Sequence, residues 1–191
     1  MDMKFCFRWL AVPVVALLLT VTAQAQDSKP ASAAAAPVQN TAQTAPAKIT
    51  WLTYDEGLAK AKNENKPIII DFTASWCGWC KRMDKETFSD PQVIKYITEN
   101  MVPVKVWGDD TTTANMVTHE GERMTQRALT QVYQVRGFPC FWFLDAAAGK
   151  IGPAPGYKPK DTFLPLVEYV AGNHYKTTSY ENFLKKRSGQ G

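Results

Sequence analysis

The stretch that most constrains this chain runs from Pro67 to Cys80. There the apolar, β-branched run Ile68-Ile69-Ile70-Asp71-Phe72 leads into Trp76-Cys77-Gly78-Trp79-Cys80. A strand that is apolar on both alternating faces has to be covered on both sides, which places it in the middle of a layered α/β domain. Two thiols at this spacing can close a disulfide or bind a metal, and a strand-to-helix junction favours the redox reading. A helix that starts at Cys77 points its unpaired N–H groups and positive dipole end at that sulfur. Both favour the thiolate, the nucleophile of disulfide exchange.

The compartment bears on that chemistry. Lys4 and Arg8 precede the apolar run Leu10 to Val21, and Ala23-Gln24-Ala25 puts small residues at the two positions a signal peptidase reads. This is the pattern of a secretory signal peptide over residues 1–25. Its apolar run is well short of the ~20 residues a bilayer span needs, so no stable membrane insertion is expected after cleavage, and the expected location is periplasmic. Cys6 precedes the run and receives no function. Thiols in an oxidising compartment tend to pair, and the mature chain keeps Cys77, Cys80 and Cys140. One pair and one leftover fit a redox pair with an auxiliary third thiol better than a disulfide framework. The formal charge of +4 drops to +3 without the leader, where Asp2, Lys4 and Arg8 sum to +1. That is too mild to imply a nucleic-acid partner.

Residues 26–48 are mainly Ala, Pro, Gln, Ser and Thr with no aromatic residue. Such a segment cannot offset the entropy of ordering and reads as a disordered linker. Order is expected from Ile49. Thr53-Tyr54-Asp55-Glu56 matches a capping box for a helix reaching about Asn65. Lys81 to Phe88 continues the helix of the cysteines, and Asp90 with Pro91 starts another that buries Val93, Ile94 and Ile97. Met101 to Trp107 reads as the second strand and Gly108 to His119 as a polar loop. Met124, Ala128, Leu129, Val132 and Tyr133 recur at helical spacing, with Glu122, Arg123, Gln126 and Arg127 facing solvent. Phe141 to Leu144 and Ile151 towards Gly156 form strands around a turn, and Asp161 to Ala171 is a core helix closed by Gly172. A capping box from Thr178 to Glu181 opens a tail helix. The domain therefore spans 49–174, with a helical extension over 175–191.

Ile70-Asp71-Phe72-Thr73-Ala74-Ser75-Trp76-Cys77-Gly78-Trp79-Cys80-Lys81 resembles the active-site strand and turn of the thioredoxin family. Val135-Arg136-Gly137-Phe138-Pro139 resembles its proline loop, and Gly156 before the last core helix also fits. The resemblance covers about Ile49 to Gly172. It implies an α/β, thioredoxin-like fold: a central mixed β-sheet flanked by helices on both faces. Cys80-Lys81 through Thr87-Phe88-Ser89-Asp90-Pro91-Gln92-Val93 is similar to the C-terminal domain of DsbD-type disulfide reductases, which hands electrons to periplasmic disulfides. This implies an exported thiol–disulfide oxidoreductase, a protein-disulfide reductase, whose substrates are protein disulfides. The redox group is the Cys77–Cys80 pair, with no organic cofactor and no resident metal. Its electrons are expected from a separate membrane or periplasmic thiol donor.

Resemblance and chemistry agree on Cys77 as attacking thiolate, the more exposed cysteine at the helix start, and on Cys80 as the resolving thiol. Asp71, at the family's buried-carboxylate position, would take the proton of Cys80. Lys105 matches the position whose lysine neighbours that carboxylate. The resemblance also implies a cis Pro139 that sets the Phe138 backbone beside the disulfide, where an extended substrate could pair with it. Trp76 and Trp79 would supply an apolar docking surface. Trp79 stands where typical thioredoxins carry proline, which leaves oxidase and isomerase directions open. Cys140, following the proline, is either a small core residue or a third ligand completing a copper or zinc site with Cys77 and Cys80. A periplasmic metal-handling protein is thus the second reading, and a redox-inert binding module the third.

Overall fold

The computed structural model describes residues 48–189. The expected signal peptide and nearly all of the linker lie outside the described residues. In chain order the elements are helix α1 (Tyr54–Glu64), strand β1 (Ile68–Thr73), helices α2 (Gly78–Glu86) and α3 (Pro91–Asn100), and strands β2 (Val102–Trp107), β3 (Val117–His119) and β4 (Glu122–Met124). Helix α4 (Gln126–Val132), strands β5 (Cys140–Leu144) and β6 (Lys150–Pro155), and helices α5 (Lys160–Ala171) and α6 (Tyr180–Arg187) follow.

The buried run Ile68 to Thr73 takes a central place in a four-stranded sheet of order β2-β1-β5-β6. β2 lies parallel to β1 and pairs Asp71 with Lys105. β5 is antiparallel on the other side and pairs Phe72 with Cys140, and β6 returns antiparallel to β5. The sheet is therefore mixed. Because side chains alternate along a strand, β1 divides its apolar residues between two cores. Ile69 faces Met83, the α3 residues Val93, Ile94 and Ile97, and Phe163 and Val167 of α5. Ile68, Ile70 and Phe72 face Tyr54 and Ala61 of α1 and Leu129 of α4. Each such side chain contributes roughly 1.5–3 kcal/mol on burial, so the strand is held from both faces.

The helix ends are set by the residues expected. Thr53 and Glu56 form a complete capping box on α1, and Asp90 accepts the N–H groups of Gln92 and Val93 ahead of Pro91 in α3. Three local expectations are corrected. Part of the stretch read as a polar loop is a hairpin, β3 paired with β4. Its two-residue connection, Glu120 and Gly121, has both φ angles positive, at 52° and 87°, the backbone that matches strand twist in a tight hairpin. Residues 122–124 are accordingly strand, and α4 starts only after Thr125, whose hydroxyl accepts the Ala128 N–H. Val132, expected on the apolar face, is 41% exposed. The tail helix α6 is capped by Ser179, which accepts from Asn182. Thr178 is kept outside it, with its carbonyl taken by the Tyr169 hydroxyl at 2.6 Å.

Candidate active site

After β1 the chain turns through Ala74, Ser75 and Trp76 and enters α2 at Cys77. Cys77 is the N-cap residue, with extended backbone, and its sulfur accepts the Cys80 N–H at 3.0 Å. It takes one of the helix's orphan donors, as a Ser or Asp cap would, and that donor and the dipole both favour negative charge on it. Cys77 and Cys80 are joined as a disulfide. The expected difference in exposure is corrected: both residues are 4% exposed. The cap, which aims an N–H at one sulfur alone, is what distinguishes them. Asp109 holds the turn from outside, its Oδ2 accepting the Ser75 N–H at 3.0 Å and the Ser75 hydroxyl at 2.5 Å. These bonds keep the Asp109 carboxyl below its ordinary range.

Asp71 is buried and shares the sheet face of Ile69, the face that α2 covers. Its Oδ2 lies 3.2 Å from Lys105 Nζ, which reaches Asp84 Oδ1 at 3.0 Å. Asp84 follows Cys80 by one helical turn, so both project from the same face of α2. The Asp84–Lys105–Asp71 chain therefore links the β1 carboxylate to the helix face that carries Cys80. Asp71 Oδ1 has no hydrogen-bond partner. Burial raises the Asp71 pKa to about 6, against the opposing charge and hydrogen bond of Lys105, and Asp84 pushes it further up. Burial outweighs the ion pair because an ion loses more on leaving water than one contact returns. A carboxyl with an idle oxygen and a pKa near neutrality is fitted to accept and return a proton.

The Phe138–Pro139 peptide bond is cis, as the resemblance implied. Phe138 packs against Ala74, Cys77 and Cys80 and meets Trp76 edge-on at 5.8 Å. Gly108, at the end of β2, makes room for it: a Cβ there would lie 2.3 Å from Phe138 Cζ. Trp76 and Trp79 are 69% and 55% exposed, so a large part of each indole is open beside the disulfide. Cys140 is buried as a free thiol in the core formed with α1 and α4, a different cluster from that of Cys77 and Cys80. Burial pushes its pKa up to about 11, and Lys158 only partly offsets this. Among the described residues no three His, Cys, Asp or Glu side chains are grouped to hold a metal ion, so the three-thiolate arrangement is not assembled. His119 Nδ1 meets the Tyr54 hydroxyl at 2.8 Å, and Asp110 binds Thr112, Asn115 and Gln126.

Four participants escaped the sequence reading: Asp84, Asp109, Gly108 and Tyr157, whose ring lies 5.5 Å from that of Trp79. Only Asp84 had a local signal, its four-residue spacing from Cys80.

A capped Cys-x-x-Cys disulfide above a buried carboxylate, with a cis-proline loop packed against it, is the site of a thiol–disulfide exchanger. A family model described as thioredoxin-like domain matches residues 54–171. The disulfide bond reductase DsbH of Chlamydia pneumoniae is 32% identical over 158 residues, which cover 82% of this chain and 90% of that protein. The thiol:disulfide interchange protein DsbD of Salmonella typhi is 34% identical over 92 residues, 48% of this chain and 14% of that protein. A solution structure of a Thermus thermophilus thioredoxin has a TM-score of 0.52 at 28% identity, covering 64% of this chain and 87% of its own. A DsbH oxidoreductase structure has a TM-score of 0.50 at 26% identity, covering 73% and 96%. The chain belongs to the thioredoxin-like family, as a thiol–disulfide oxidoreductase with a Cys77–Cys80 disulfide.

Proposed function

We propose that this oxidoreductase is exported and reduces protein disulfides. The observation that carries the reading is the Cys77 sulfur at the α2 cap, accepting the Cys80 N–H. In the dithiol form, the Cys77 thiolate attacks one sulfur of a substrate disulfide. A Cys77–substrate S–S bond forms as the substrate's own bond breaks, and the departing thiolate takes up a proton from solvent. Asp71 accepts the proton of Cys80, whose thiolate then attacks Cys77. The second substrate sulfur leaves as a thiolate that takes up a proton, Asp71 releases the one it received, and the Cys77–Cys80 disulfide remains. Two electrons have passed to the substrate, and a membrane or periplasmic thiol protein returns them.

The direction is supported by the likeness to a protein named as a disulfide bond reductase. Export is supported by the basic and apolar pattern of residues 1–25, with 26–48 as a tether to the domain. No helix among the described residues is long and apolar enough to cross a membrane. The extended substrate pairs with the Phe138 backbone and rests on Trp76 and Trp79. The reaction uses no bound cofactor beyond the cysteine pair.

Reduced protein with Cys77→Ser is expected to lose its reduction of a model protein disulfide to background, and wild-type activity in that variant overturns the assignment. Alkylation trapping in growing cells tests the direction: mainly free Cys77 and Cys80 thiols support the reductase, and mainly disulfide supports an oxidase. A mature N-terminus at Gln26, read by mass spectrometry, tests export.

A further inference from the structure

Trp79, between the two cysteines, is held by a set of side chains that disulfide exchange itself does not require. Its ring lies 5.5 Å from that of Tyr157, in the loop between β6 and α5. The Arg82 guanidinium sits 5.3 Å from the Trp79 ring and 5.0 Å from the Tyr157 ring. Both Glu86 carboxylate oxygens accept from Arg82 Nε, at 3.0 and 2.9 Å, and Glu86 Oε2 also accepts the Tyr157 hydroxyl at 2.5 Å. The loop is tied to the end of α2 again where the buried Thr87 hydroxyl donates to the Lys158 carbonyl at 2.8 Å. One indole is thus flanked by a tilted ring and a cation, each anchored to the same carboxylate.

We propose that Arg82 and Tyr157 are positioning residues that fix Trp79 as a docking wall, selecting polypeptide disulfides with apolar side chains beside the cystine. The inference rests on the oxidoreductase reading and names its substrate class. Charge favours an apolar occupant: Glu86 neutralises Arg82, so the charge held against the Trp79 and Tyr157 rings is paired within the wall itself. The second aromatic pair, Trp76 with Phe138, extends the same chemistry to the other flank. A preset ring spares the ordering that a free indole would undergo on binding, so the gain appears in substrate affinity.

The test uses two synthetic disulfide peptides, with leucines or with serines flanking the cystine, and glutathione disulfide as a small substrate. Tyr157→Ala and Arg82→Ala are each expected to lower the preference for the leucine peptide over the serine peptide about fivefold, with the loss in KM. Tyr157→Phe, which keeps the ring, retains most of the preference. Equal losses on both peptides, or an unchanged KM in both alanine variants, overturn the inference. Wild-type protein inert toward all three disulfides overturns the oxidoreductase reading as well. Active wild type with unaltered variants overturns this inference alone. Thermal melts matching wild type exclude misfolding as the cause of a loss.

Discussion

At Asp71 burial holds the carboxyl pKa at about 6, from an ordinary value of 3.8, although Lys105 is in contact with it. Between roughly pH 4 and pH 6 the folded, oxidised protein therefore keeps a proton that the unfolded chain has lost. A group that binds its proton more tightly when folded supports the fold below that window and less so as pH rises through it. For a shift of about two units the loss is of order 3 kcal/mol. Asp71→Asn removes the ionisation, so urea midpoints of variant and wild type should converge near pH 4 and separate in the variant's favour at pH 8. An equal gap at both pH values would contradict the assignment. The same variant should slow resolution of the mixed disulfide, since Cys80 loses its proton acceptor. Asp71 was legible because an acidic residue inside an apolar run needs an explanation. Asp84 carried only its spacing from Cys80, and its part depends on a lysine that β2 delivers from 21 residues away.

At the level of elements, the proline loop and the end of β2 meet at a contact that leaves no room for a side chain. Gly108 sits under the Phe138 ring, and Ala there would force its Cβ to within 2.3 Å of Phe138 Cζ unless the ring moved. Gly108→Ala should cost about 1–3 kcal/mol as overpacking and displace a ring that packs on both cysteines. A lower Tm together with a slower rate on protein disulfides is expected, and a variant matching wild type in both would show that the ring yields freely. The elements flanking this contact were readable wherever a cap stated them, as at Thr53, Cys77 and Asp90. The β3–β4 hairpin was not, since strands of three residues carry almost no periodicity and Glu-Gly is a weaker turn signal than Asn-Gly. At the tail, Thr178 and Ser179 both offered a cap hydroxyl. Ser179 is the cap, and Thr178 is tied instead to a different helix, its carbonyl accepting the Tyr169 hydroxyl.

For the molecule as a whole, an open four-stranded sheet leaves two edges whose unpaired backbone groups could template association. On the β2 side the segment before α1 supplies a partner: Leu52 donates to the Pro103 carbonyl at 3.0 Å and accepts from the Lys105 N–H at 3.1 Å. Among the described residues the β6 side has no neighbouring strand. Gly156 N–H points inward, to the Pro139 carbonyl at 2.8 Å. By alternation, the backbone groups of Pro153 and Pro155 point outward, and neither has an N–H to offer. The Pro155 carbonyl is also occupied, by Lys158 Nζ at 3.1 Å. Sequence placed both prolines in a strand, but only register shows that they share the outward side. Replacing both, Pro153→Thr with Pro155→Thr, would place two donors on a free edge. Sedimentation velocity should then show association growing with concentration beyond that of the wild type. A double variant that sediments as the wild type does would mean that the carbonyl-side contacts and the local twist protect this edge without the prolines.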